Sequence, residues 1–163
     1  MPPTLTAYLI KRAHRQYRSL AELITNIPAE HALKFATESW PDHPWGVGQN
    51  GSISGIVYHV TAWKLLTLPI FSAGGQPLNR KAFDADAAPA VSDWLAVRQW
   101  FTEVGNEWDS QLDALTDEDM DGEHEWEGHT LTMHEFITDL MEHDVQHASQ
   151  IEYLLQRIAW DAR

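Results

Sequence analysis

Apolar side chains recur at spacings of three and four through four stretches of the chain, the period of a helix that buries one face. The first stretch, Leu5 to Thr25, carries Leu5, Leu9, Ala13, Tyr17, Leu20 and Ile24. The second begins near Ser52, whose hydroxyl suits an N-cap, and runs through Ile53, Ile56, Val57, Val60, Trp63 and Leu66 until Pro69 stops it. The third places Trp94, Val97, Phe101, Val104, Trp108, Leu112 and Leu115 on one face. The fourth opens with Thr132 and Glu135, a capping box in which hydroxyl and carboxylate each satisfy an amide of the other residue. Phe136, Leu140, Ile151, Leu154 and Ile158 then carry its stripe almost to the C-terminus. The expected fold is all-α, an antiparallel-type four-helix bundle.

The connections are punctuated by helix breakers. Pro28, Pro41, Pro44, Gly46, Gly48 and Gly51 make residues 26–51 a long connection, interrupted by a short helix through Ala29–Phe35. A connection this long in a compact unit is usually functional. Gly74, Gly75, Pro77 and Pro89 mark the second connection. Residues 116–131 are acidic, and Glu125–Thr132 is expected to form a short strand pair. With 163 residues, a single domain over 1–163 is expected, since domains run to about 100–200 residues.

Composition then removes whole classes of chemistry. The chain has no cysteine, which excludes disulfides, iron–sulfur clusters, cysteine-ligated zinc and cysteine nucleophiles. Any thiol chemistry must borrow its sulfur. The net charge is −13, with the acids concentrated in residues 81–163. Lys11, Arg12, Arg15 and Arg18 form the one basic cluster, which argues against a nucleic-acid partner. No apolar run is expected to reach the ~20 residues that span a bilayer, and the N-terminus lacks a signal peptide's apolar core. A cytoplasmic protein with no membrane partner is the expectation. Eight tryptophans imply large buried side chains or a lined pocket.

Nine histidines is many for this length. His143 and His147 stand at i and i+4, one turn apart on one helix face, the spacing that lets two imidazoles reach a single ion. On a wheel of about 100° per residue, His147 falls inside the apolar stripe of the fourth helix and His143 on its edge. His59 faces inward from the second helix, near Ile56 and Trp63. Three neutral imidazoles converging from two helices would make a three-ligand site with open positions. An inward histidine is also commonly a satisfied core residue, so the spacing leaves both readings open. His134 falls on the opposite face, His14, His31 and His43 read as surface or loop residues, and His124 and His129 sit in the acidic segment. Asp139 and Gln150 lie close enough to orient an imidazole, and Asp139 is also placed as a fourth ligand. Asp117 to Gly122 copies the start of a calcium loop, but Gly128 stands where the bidentate glutamate is needed.

The segments Ser52–Trp63 and His143–Leu154, the second with HxxxH followed by Gln150, Ile151, Tyr153 and Leu154, resemble the DinB/YfiT-like family of metalloenzymes. The resemblance covers nearly the whole chain. It implies a four-helix bundle and a divalent metal, often zinc or nickel, held here by His59, His143 and His147. It also implies frequent homodimers. Some members resemble glutathione S-transferases and activate the small thiols bacillithiol or mycothiol; one branch is a mycothiol-dependent maleylpyruvate isomerase. That branch carries glutamate where this chain has His143, so the chain is more similar to the three-histidine, transferase-like side.

The expected activity is therefore a metal-dependent transferase, with a small-molecule thiol and a small electrophile as partners. Two alternatives stand beside it: a non-catalytic metal-binding stress-response protein, and a metal-dependent hydrolase with Asp139 or a loop acid as base. Trp40, Trp45 and Tyr58 are the aromatics expected to line or cover the pocket.

Overall fold

The computed structural model describes residues 4–36, 50–72, 75–78, 83, 87–126 and 128–163. Helix α1 (Leu5–Thr25) begins where the Thr4 hydroxyl accepts from the Ala7 amide at 3.2 Å, and its bounds are those the periodicity predicts. Helix α2 (Ala29–Ala32) is a single turn. It stops short of the expected Phe35, which takes a φ of 69°, a left-handed conformation that no α-helix continues through.

Helix α3 (Ile53–Thr67) is fixed at its start by a relay in which the Ser52 hydroxyl donates to Asn50 Oδ1 at 2.6 Å and accepts from the Gly55 amide at 3.0 Å. Pro69 does not end the chain's helical course at once. The backbone tightens into a 3-10 turn over Leu68–Phe71, where a proline near the start forfeits no hydrogen bond. Helix α4 (Trp94–Leu112) is capped by Asp93, which accepts from the Ala96 amide at 3.1 Å. It ends before the expected Leu115 because Ala114 and Leu115 already bond three residues back rather than four.

Strands β1 (Glu123–Trp126) and β2 (His129–Thr132) pair antiparallel, with Trp126 opposite His129 and Glu123 opposite Thr132. Gly128 turns the hairpin at a φ of 87°. The pair starts two residues earlier than the sequence predicts. Helix α5 (Met133–Asp161) follows directly, with both halves of the capping box made: Thr132 Oγ1 accepts from the Glu135 amide and Glu135 Oε2 from the Thr132 amide.

These helices close into the expected bundle. Helix α3 packs on α4 and α5, and α1 packs on the same two, so α1 and α3 lie across one diagonal and α4 and α5 across the other. Helices α1 and α4 approach so closely that a methyl group added at Gly105 would stand 2.1 Å from the Tyr17 hydroxyl.

Two apolar clusters fill the interior. One gathers Tyr17, Leu20, Ile24, Ile53, Val57, Trp94, Phe101 and Ile151; the other gathers Leu9, Trp108, Leu112, Met133, Phe136 and Leu140. Along α5 the change from one to the other falls between Leu140 and Ile151, and Asp144 and His147 occupy that gap, both buried. Along α3 it falls between Val60 and Ile70, where Lys64 is buried.

The apolar run Ile53–Phe71 corrects one expectation: at 19 residues it is long and apolar enough to cross a membrane, although 83% of its window is buried inside the fold. It is a helix of the bundle, largely buried and so apolar on most of its sides.

Candidate metal centre

Helix α3 delivers His59, and α5 delivers His143 and His147 from consecutive turns. The three rings meet where the helices pack. His143 Nε2 lies 3.1 Å from His59 Nε2 and 3.1 Å from His147 Nε2, and ligand atoms of all three residues fall within 4.8 Å of one another. His59 and His147 are buried, and His143 is half-buried.

The donor set fits a cation. A neutral imidazole nitrogen offers either one N–H or one lone pair, so His143 Nε2 cannot satisfy both of its close neighbours by hydrogen bonding. Two nitrogens each about 2.05 Å from a common ion stand about 3.3 Å apart at a tetrahedral angle and about 2.9 Å apart at a right angle. The observed separations lie between these values.

Hydrogen bonding sets one ring's tautomer. His147 Nδ1 donates to the Gln150 carboxamide oxygen at 2.8 Å, which leaves the Nε2 lone pair facing the other two imidazoles. Burial favours the uncharged form of the two α5 rings. His143 is pushed down to about 2, first by burial and then by the positive charge that His147, His59 and Lys64 can carry. Burial also lowers His147, against the opposing pull of the Gln150 hydrogen bond and the Asp144 charge. Neutral imidazole is the form that ligates metals.

A model of the DinB superfamily matches residues 10–151. The chain belongs to that superfamily. The matched span takes in all three histidines and most of the bundle; no curated protein matches the chain.

In this DinB-superfamily bundle the other residues expected near the site divide sharply. Gln150 orients His147, as the wheel allowed. Asp139 does not join the ligand cluster; it lines a cavity beside His143. Its carboxyl is raised above the usual range by burial and by Glu142 and Glu135. Tyr58 is not at the pocket, because it faces another side of α3 and packs against Phe83 and Trp100 with ring centroids 6.1 and 5.1 Å away. Trp40, Trp45 and His43 lie outside the described residues. The aromatics beside the site are Trp63, whose ring centroid is 5.6 Å from that of His143, and Trp126 on the hairpin, 5.2 Å from Trp63.

Two polar arrangements escape a reading by spacing. Lys64 Nζ donates to Asp144 Oδ2 at 2.7 Å, joining α3 to α5 beside the histidines, and lies 4.7 Å over the Trp108 ring. The one available signal is that a lysine inside a helix apolar on most of its sides is commonly buried and so must be paired. His14, expected at the surface, is largely buried, with its ring nitrogens 2.6 Å from Asp109 and 2.8 Å from Asp113. Its partners belong to α4, far along the chain. Asp119 of the calcium-like segment accepts instead from the Thr116 amide and hydroxyl, at the start of a 3-10 turn.

Proposed function

We propose that this DinB-superfamily protein holds one divalent ion, zinc or nickel, on His59, His143 and His147. In this reading it activates a low-molecular-weight thiol for attack on a small electrophile. One observation carries the proposal: three imidazole nitrogens converge while His143 borders an open cavity, so the protein supplies three ligands and leaves room for a fourth from outside. Three-ligand sites of this kind are the catalytic rather than the structural pattern. When bound, a divalent ion supplies Lewis acidity that lowers the pKa of a thiol reaching it.

The chain's own residues do the rest. Gln150 holds the His147 tautomer, the aromatic wall of Trp63 and Trp126 restricts water, and Asp139 is placed to take the thiol's proton. The freed sulfur lone pair then forms the new carbon–sulfur bond as the electrophile's leaving group departs with its bonding pair, or as a π pair is displaced and takes up the proton from Asp139. With no cysteine in the chain, no protein thiolate competes for the open position. A cytoplasmic setting, where small thiols stay reduced, suits the reaction.

Asp139 would equally serve a water nucleophile, which keeps hydrolysis as the second reading. Cobalt substitution separates the two. Titrating the fully cobalt-loaded protein with bacillithiol, mycothiol, glutathione or cysteine should produce a sulfur-to-cobalt band near the ultraviolet, and monochlorobimane should then be consumed with saturation in the same thiol. No band with any of the four sinks the thiol reading and leaves hydrolysis or metal binding without turnover.

A further inference from the structure

The cavity beside His143 has a volume of about 130 Å3. Trp63 forms one wall, Trp126 and Leu131 of the hairpin another, and Phe136 and Leu140 of α5 the floor. The rings stand tilted to one another: Trp63 and Trp126 at 59° with centroids 5.2 Å apart, Trp126 and Phe136 at 87° with centroids 5.8 Å apart. Such a slot presents both faces and edges to a flat guest. Its size is that of one ring, since an apolar cavity of about 150 Å3 accepts a benzene molecule.

The polar residues bordering the space are Asp139, His143 and Thr67, whose hydroxyl donates to the Lys64 carbonyl at 2.8 Å. No Lys or Arg lines it among the described residues. The nearest buried cation on α3, Lys64, is already committed to Asp144. Glu135 and Glu142 add their charge beside Asp139 and raise its carboxyl further, so the protein's own side chains there repel an anion.

We infer that this cavity seats the electrophile, and that its walls select a molecule whose buried part is uncharged, a single ring or an aliphatic group of that size. The molecule's polar reacting end would point toward Asp139 and His143. The inference rests on the proposed function for the word electrophile; the selection itself is a property of the walls.

Calorimetric titration of the metal-free protein with three probes tests it: benzyl alcohol, 2-naphthalenemethanol and benzoate. Benzyl alcohol should bind saturably, and each of the other two at least about tenfold more weakly. Trp126→Ala should open the slot and reverse the order of the one-ring and two-ring alcohols. Leu131→Phe, which fills the slot from the hairpin, should abolish benzyl alcohol binding with the thermal unfolding midpoint kept. Asp139→Asn should narrow the gap between benzyl alcohol and benzoate. Absence of saturable benzyl alcohol binding, or benzoate binding as tightly as benzyl alcohol, overturns the inference. No thiol enters these titrations, so a failed cobalt–thiol band leaves their outcome untouched, and failed probe binding beside an intact band sinks this inference alone.

Discussion

Helices α3 and α5 meet at two buried polar groups that solve the same problem in opposite ways. Lys64 and Asp144 neutralise each other directly, at 2.7 Å. The three histidines a turn away bring the His59 and His147 nitrogens each to 3.1 Å from that of His143 and no charge to balance a guest. The ion pair is complete when the chain folds. The histidine cluster could hold a cation, which is why one reads as framework and the other as a candidate site. The pair is also imperfect, since Asp144 Oδ1 is buried with no hydrogen-bond partner among the described residues, a cost that makes its single salt bridge harder to lose.

The comparison is broken most severely at the ion pair. Lys64→Met should strand a buried carboxylate and cost about 3–5 kcal/mol, whereas Lys64→Met with Asp144→Leu should recover most of that loss. Urea unfolding followed by circular dichroism reads both, and equal destabilisation of single and double variants would show that the pair itself is not the framework.

Acid should act next, and on the histidines. In the metal-free protein the native imidazoles of His143 and His147 titrate below their ordinary range, His143 near 2, while unfolded histidines protonate near 6.5. Their contribution is therefore complete above about pH 6.5. It is lost as pH falls toward the native values, by up to about 1.4 kcal/mol per pH unit for each ring. Urea midpoints at pH 7 and 5.5 measure it, and a His143→Ala, His147→Ala double variant should show a flatter profile than the parent.

Gln150→Ala sharpens the contrast from the other side. It should lower metal affinity about 10–100-fold by freeing the His147 tautomer, with little change in the stability of the metal-free fold; competition with a chromogenic chelator reads the affinity. Smallest is His14→Ala. Its Asp113 partner is 72% exposed, so the loss should stay within about 1 kcal/mol and leave metal content unchanged.

What the sequence discloses follows from how local each feature is. The Thr132 and Glu135 cap, the bounds of α1 and the pairing of His143 with His147 each depend on residues within a turn or two, and each is readable. His59 is reached by the same wheel applied to a second helix. The Lys64–Asp144 pair spans 80 residues and His14–Asp109 spans 95; they depend on how two helices rotate against each other, which periodicity leaves open. Tyr58 illustrates the point, because an aromatic one residue from His59 sits about 100° around the helix and faces elsewhere. Trp126 is hidden for another reason: Glu123, His124 and Glu125 carry little strand propensity, so the hairpin that lifts it to the cavity is weakly signalled.

The capping box at Thr132 has a consequence for length as well as for stability. It fixes the residue at which α5 begins to turn, and every side chain beyond it is aimed by counting from there. One residue inserted between Glu135 and His143 would swing both imidazoles and Asp144 about 100° around the helix axis, although every ligand would still be in the chain. The same insertion after Ile158 would displace none of them. Between the cap and His147 this helix can exchange many of its letters, but it cannot gain or lose one.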